Sequence, residues 1–250
     1  MGLVLSAVLV ANAPAQQSPG ATQSQSATNV SVRDLGIGAA GLALLFFADK
    51  PIGRVFHGYY GPDTRTVAQA FDKLGEPTGM AVVLGGLGIA ALATRDRGTV
   101  RTLVHTAAAV AIASGVSETV KYAFGRLRPY ADPDRDALDF RPFRGAELGT
   151  PSFPSGHTTV AFALATSLGD ASHNRWVQLG LWGVAAGTGW ARLQLDQHWV
   201  TDIVAGAAVG IMSARFAEGR LRILGVRAPQ ILVSSRSVGL GWTLPLPAIR

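Results

Sequence analysis

The chain has no cysteine, which excludes disulfides, thiolate zinc sites and cysteine nucleophiles. It is also short of charge. Only 15% of its residues are Asp, Glu, Lys or Arg, against about a quarter in typical soluble domains. It has no Lys/Arg block, and the arginines are scattered between apolar runs without interleaved aromatics. That argues against a nucleic-acid binder. No internal repeat is evident, and Lys and Arg are absent before Arg33. What charge exists leans basic, with 22 Lys and Arg against 16 Asp and Glu, a formal net of +6. With nucleic acid set aside, such a balance points to an anionic substrate or anionic lipid.

The composition is otherwise apolar: 48% of the 250 residues are hydrophobic. The length suits one domain or one membrane bundle. Six apolar runs follow one another, at 35–48, 79–94, 103–116, 158–168, 176–190 and 203–214. Runs two to five carry almost no charge on any side, His105 being the exception, so they lack the polar stripe of a soluble surface helix. They are rich in Gly and Ala, as close-packed membrane helices are. The expected fold is therefore all-α, a membrane-embedded bundle of about six helices, with a soluble all-helical protein as the alternative.

Around that bundle, residues 1–15 read as a secretory signal, with small residues at Ala11, Ala13 and Ala15 but no positive n-region. Residues 16–34 read as a disordered linker. The helical region is placed at 35–215 and a C-terminal tail at 216–250. In the tail, Ile231 and Val233, then Val238, Leu240 and Trp242, alternate as a short hairpin would. Val67, Ala70, Phe71 and Leu74 have helical spacing, which suggests a helix along an interface or capping the bundle.

Three polar clusters interrupt this background. Lys121 and Arg128 are seven residues apart, two turns of one helix face if the helix persists, and Pro129 would end it. Both suit phosphate oxygens, Lys as a compact charge and Arg as a planar fork. Pro154-Ser155-Gly156-His157 precedes an apolar run. A helix start presents backbone N–H groups to an anion. Ser155 adds a hydroxyl, Gly156 allows close approach, and His157 can protonate a leaving oxygen. Read structurally, the same residues are an ordinary Ser N-cap and an exposed histidine. Arg192, His198 and Asp202 form the third cluster. At i and i+4 the carboxylate can hold one imidazole nitrogen and leave the other as nucleophile.

If each run crosses once, all three clusters land on one membrane face. The other face carries arginine in 95–101, 170–175 and 215–227, as a cytoplasmic side would. An even number of crossings then puts both ends inside, which conflicts with a cleaved signal.

The pattern Lys-x6-Arg-Pro, Pro-Ser-Gly-His, Arg-x5-His-x3-Asp, from Lys121 to Asp202, closely resembles the type-2 phosphatidic acid phosphatase and vanadium haloperoxidase superfamily. The family often has Ser before the third-cluster arginine, where this chain has Ala191. The resemblance implies the family's helical core. His198 would attack phosphorus, Asp202 would orient it, and His157 would protonate the leaving alcohol and then activate water. Lys121, Arg128, Ser155, Gly156 and Arg192 would bind the phosphate. It implies no metal and no cofactor, or vanadate in a haloperoxidase. The expected substrate is a lipid phosphate: phosphatidate, phosphatidylglycerol phosphate or undecaprenyl diphosphate. The expected place is a bacterial inner membrane with the site facing the periplasm. Alternatives are a soluble periplasmic acid phosphatase, a vanadate-dependent haloperoxidase, and a non-catalytic lipid-phosphate binder.

Smaller expectations concern single residues. Glu118 pairs with Lys121 or another cation of the phosphate clamp. Asp132, Asp134, Asp136 and Asp139 form a solvated loop rather than a calcium site. His105 is buried and hydrogen-bonded. His57 and His173 lie in loops. Tyr59, Tyr60, Trp190 and Trp199 are interface aromatics.

Overall fold

The computed structural model describes residues 7–9, 27–58, 61–132, 134–144, 149–233 and 238–242. Strands β1 (Ala7–Leu9) and β2 (Thr28–Val30) precede the helices α1 (Val32–Gly58), α2 (Pro62–Asp72), α3 (Pro77–Thr94) and α4 (Arg97–Phe124). A 3-10 turn, Lys73–Gly75, joins α2 to α3. After a long loop come α5 (Gly156–Ser172), α6 (Arg175–Gln194) and α7 (Val200–Ala217), then β3 (Leu221–Ile223), β4 (Gln230–Val233) and β5 (Val238–Trp242).

Each apolar run became a helix because local stop signals bound it. Asp96 caps α4 by accepting the Thr99 N–H at 2.8 Å. Gly125, at φ 56°, ends α4 in the left-handed conformation that glycine adopts without strain. Asn174 caps α6 through Trp176 N–H. The extra helix is α2, the segment whose spacing suggested a cap. It packs on α6 through Phe71, edge-on to Trp190 at 6.3 Å.

At the centre of the bundle is α5, packed against α4, α6 and α7. Its buried face is Thr158, Thr159, Ala161, Ala163, Ala165 and Thr166, small enough for close helix approach. A Cβ on Gly206 of α7 would lie 2.7 Å from the Ser155 carbonyl oxygen, and one on Gly210 would strike the Thr159 carbonyl. The outer helices are the reverse. In α1 and α3, Leu44, Phe47, Val82, Ile89 and Leu92 are at least 70% exposed. A helix that is apolar all round yet uncovered by protein has a lipid environment. Among the described residues, α1, α3, α4 and α7 are each long and apolar enough to cross a membrane. The protein is a membrane protein, and the soluble alternative is set aside.

Pairing of β2 with β3 places the residues before α1 beside those after α7, as an even number of crossings requires. Thr28–Val30 and the start of α1 fall inside the segment expected as linker, so ordered structure begins earlier than the sequence suggested, because β3 supplies a pairing partner. Most of residues 1–15 lie outside the described residues; Ala7–Leu9 pairs with β5. The expected hairpin is present, with Ile231 opposite Leu240 and Val233 opposite Val238.

Candidate active site

The ends of four helices meet at one end of the bundle: the C-termini of α4 and α6 and the N-termini of α5 and α7. Lys121, the Ser155–His157 turn, Arg192 and Asp202 therefore converge, as the alternating crossings predicted.

His198 and Asp202 are in contact, Nδ1 to Oδ2 at 3.3 Å, and both are buried. They do not share a helix face as expected. His198 precedes the N-cap Trp199, and Asp202 is the third residue of α7, folded back to accept the Trp199 N–H at 2.8 Å. The cap fixes the carboxylate, and the carboxylate fixes the imidazole. With Nδ1–H on Asp202, Nε2 is the unprotonated nitrogen. Burial, and then Arg128 and Arg192 nearby, push the His198 pKa down to about 3, although Asp202 opposes the shift. The imidazole is neutral at physiological pH, the form a nucleophile requires.

Ser155 is the N-cap of α5, its Oγ accepting from Thr158 Oγ1 at 3.0 Å and Thr158 N–H at 3.5 Å. Its own N–H is spent on the Asp202 carbonyl at 3.0 Å. Among the described residues the Ser155 hydroxyl proton and the N–H groups of Gly156 and His157 have no acceptor, and the free donors of a helix start can be offered to an anion. A Cβ on Gly156 would stand 3.0 Å from Lys121 Nζ, so glycine lets the ammonium reach this backbone.

The cations already have partners. Lys121 Nζ meets Glu118 Oε1 at 2.6 Å, as expected of Glu118. Arg192 Nη1 meets Asp72 Oδ1 at 2.5 Å, while its buried Nε has no partner among the described residues. Gln197 Oε1 accepts from Arg128 at 2.8 Å and from Arg192 at 3.3 Å, holding the two forks side by side. Arg128 departs from the expected helix face. The helix ends at Phe124, and Arg128 lies in the following loop, anchored to the Thr150 carbonyl.

Several residues were missed. Arg126 is completely buried among Phe46, Phe140 and Trp199, its guanidinium 4.8–5.3 Å from their ring centroids. It bonds Asp202 Oδ1 and Asp49 Oδ2, each at 2.6 Å. Thr201 Oγ1 donates to Asp49 at 2.6 Å and accepts from Arg126 at 2.6 Å. Asp49 breaks the first apolar run and Arg126 lies inside the first motif, so both were visible as charges in apolar context, which is itself a signal. Trp199 is a correction: it is 2% exposed, its indole N–H donating to the Leu127 carbonyl at 3.0 Å, because it walls this cluster rather than facing an interface.

Of the remaining residues, Asp132 is buried and ties its own turn through the N–H groups of Asp134 and Asp136. Asp136 pairs with Lys50 and Asp139 with Arg141. Among the described residues no three His, Asp or Glu side chains are grouped to hold a metal ion. His105 is buried with Nδ1 3.0 Å from the Ala217 carbonyl, as expected. His57 lies in the last turn of α1, not in a loop, while His173 is the C-cap of α5. Tyr59 and Tyr60 lie outside the described residues. A cavity of about 290 Å³ opens beside Trp199, lined by Lys50, Gly53, Arg54, Asp134 and Arg135.

Comparisons with known proteins agree with this architecture. The chain is 37% identical over 120 residues to a lipid A 1-phosphatase of Porphyromonas gingivalis, covering 47% of this chain and 23% of that protein. It is 32% identical over 139 residues to a lipid A 4'-phosphatase of the same organism, covering 52% and 58%. The matches thus span less than two thirds of these relatives' length. The crystal structure of LpxE from Aquifex aeolicus superposes with a TM-score of 0.53 at 22% identity, over 68% of this chain and 94% of that one, which shows a shared fold. The family model of the PAP2 superfamily matches residues 102–218. That segment runs from α4 to α7 and holds every clustered residue from Lys121 to Asp202, so the match to the PAP2 superfamily falls on the site itself.

Proposed function

We propose that the protein is a lipid-phosphate phosphatase working through a phosphohistidine. The observation that carries the reading is the buried His198–Asp202 contact beside Arg128 and Arg192, with Lys121 near His157, at the end of a bundle whose outer helices are apolar and uncovered. Two curated relatives are named for phosphatase action on lipid A, so a phosphorylated glycolipid is the first substrate to test. Phosphatidate, phosphatidylglycerol phosphate and undecaprenyl diphosphate follow.

In the first step Nε2 of His198 attacks phosphorus. A P–N bond forms, the P–O bond to the lipid breaks, and His157 gives a proton to the leaving oxygen. Burial and the neighbouring arginines hold its pKa down to about 4 in the free site, so it takes up that proton together with the phosphate anion. Lys121, Arg128, Arg192 and the N–H groups at the start of α5 bind the three equatorial oxygens and stabilise their charge. In the second step His157 takes a proton from water. The hydroxide attacks phosphorus, the P–N bond breaks, and inorganic phosphate leaves with His198 neutral again. Asp202 holds Nδ1–H throughout. The phosphate binds by displacing Glu118 and Asp72 from their cations. No step needs a metal. The arginines around the far ends of the helices support a periplasmic active face in a bacterial inner membrane.

The test is phosphate release by detergent-solubilised protein with EDTA present, on lipid A, phosphatidate and undecaprenyl diphosphate. Wild type should release phosphate from at least one and His198→Ala from none. Equal release by both proteins refutes the nucleophile. Halide oxidation that needs added vanadate, without phosphate release, would favour the haloperoxidase reading.

A further inference from the structure

Deep to the His198–Asp202 pair lies a second, closed set of charges. Its members come from three separate parts of the chain: Asp49 from α1, Arg126 from the loop after α4, and Thr201 with Asp202 from α7. None of the three charged groups reaches solvent. Burying three ions is costly unless each is paired and hydrogen-bonded, and here each is. One arm of Arg126 bonds Asp202 Oδ1 and Thr201 Oγ1 at 2.6 Å, the other bonds Asp49 Oδ2 at 2.6 Å, and Nε donates to the Ala137 carbonyl at 3.0 Å. Asp49 Oδ1 also accepts the Thr201 N–H at 2.9 Å.

This arrangement leaves Asp202 no rotational freedom. One oxygen is taken by Arg126 and the other by Trp199 N–H and His198. The charges also sum in a way that suits the reaction. Two carboxylates and one guanidinium give −1, and the imidazole becomes +1 when it bonds to phosphorus. The cluster is therefore neutral at the moment the covalent intermediate forms.

Resting on the assignment of His198 as nucleophile, we propose that Arg126 and Asp49 are positioning residues for the reaction. They form a relay, Asp49–Arg126–Asp202–His198, that orients the nucleophile and makes α1, outside the 102–218 family segment, part of the active centre. Neither residue touches substrate. Both act through Asp202.

The charged and titratable groups around His198 and the facing His157 are Asp202 of α7, Arg126 and Arg128 of the loop, Arg192 of α6, His157 of α5, Lys121 with Glu118 of α4, Asp72 of α2 and Asp49 of α1. Changing one member of the relay alters only one of these charges, so its electrical effect on the imidazole has a defined sign. Without the Arg126 charge, Asp202 pulls harder on the imidazole proton and His198 titrates at higher pH. Without the Asp49 charge, Arg126 is compensated by Asp202 alone, which then pulls less on the imidazole proton, and His198 does not titrate higher.

The experiment uses full-length protein in detergent, with histidine labelled at Cε1 with 13C. The sequence has five histidines, and the His198 resonance is the one lost in His198→Ala. For Arg126→Gln, the titration midpoint should rise by about one pH unit and kcat should fall roughly 100-fold at little-changed KM. For Asp49→Asn, kcat should fall similarly with no rise in midpoint. Arg126→Lys, which keeps the charge and loses the second arm, should not rescue kcat. If Arg126→Gln does not fold, Arg126→Lys stands in for it, with kcat lowered and the midpoint within a few tenths of wild type. An unmoved midpoint in Arg126→Gln, undiminished kcat in folded variants, or a relay whose every variant fails to fold would overturn the proposal and leave an architectural role. These outcomes are separate from the nucleophile itself. Activity remaining in His198→Ala refutes that assignment, whatever the relay variants do.

Discussion

The proposed chemistry depends on keeping one imidazole neutral beside several cations. An ordinary histidine titrates near 6.5, and burial takes His198 down to about 3. Between those values the unfolded chain binds a proton at this residue and the folded chain does not. Stability from this group is therefore complete above about pH 6.5 and is lost as pH falls from there through about 3. Thermal unfolding in detergent should show a Tm that declines over that window, with a shallower decline in His198→Asn. A second prediction concerns Asp72, whose carboxylate occupies Arg192. Asp72→Asn should lower the inhibition constant of inorganic phosphate roughly tenfold, because a negative charge competing for the same fork is gone. An unchanged or raised constant would mean that Asp72 orders Arg192 rather than competing for it. Part of this was readable beforehand: Lys121, Arg128, His157, Arg192, His198 and Asp202 stood out as polar clusters between apolar runs, and the family resemblance joined them into one site. Arg126 and Asp49 did not, because their partners are 76 and 77 residues from Arg126 in sequence, and no local spacing records such a contact.

The helices are joined by glycines where the motifs need close approach. Gly206 sets α7 against the Ser155 carbonyl, so it fixes the distance between the start of α5 and the turn carrying Asp202. Gly206→Ala should destabilise the protein by about 1–3 kcal/mol and lower kcat in the fraction that folds, read from calorimetry and phosphate release. A glycine in an apolar run looks the same whether it faces lipid or a neighbouring helix. Gly36, Gly85 and Gly86 have nothing within 4 Å of an added Cβ, and substitution there should leave kcat unchanged. The same limit explains the errors at element ends. The sequence placed His198 and Asp202 on one helix face, whereas the helix begins between them. The helix stops at Gly125, so Arg128 lies beyond the face it would share with Lys121 had the helix run on to Pro129. Caps are set by backbone geometry that periodicity does not encode.

The whole molecule is a bundle that is polar at one buried end and apolar around its outside. The small residues of α5 fill its centre, and the lipid-facing helices α1 and α3 are held by few protein contacts of their own. Alkaline carbonate should leave the protein in the membrane pellet, and release into the supernatant would contradict a spanning bundle. An apolar exterior beside a cluster of cations suits the proposed lipid-phosphate substrate: the acyl part would remain in the bilayer while the phosphate enters the cluster. The most direct measurement is to quench the enzyme in alkali during turnover of a 32P-labelled lipid phosphate and locate the label. The account predicts an alkali-stable, acid-labile phosphoryl group on His198, absent in His198→Ala and accumulating in His157→Ala on a substrate with a good leaving group. Label on another residue, or turnover with no covalent label under conditions that trap it, would contradict the phosphohistidine.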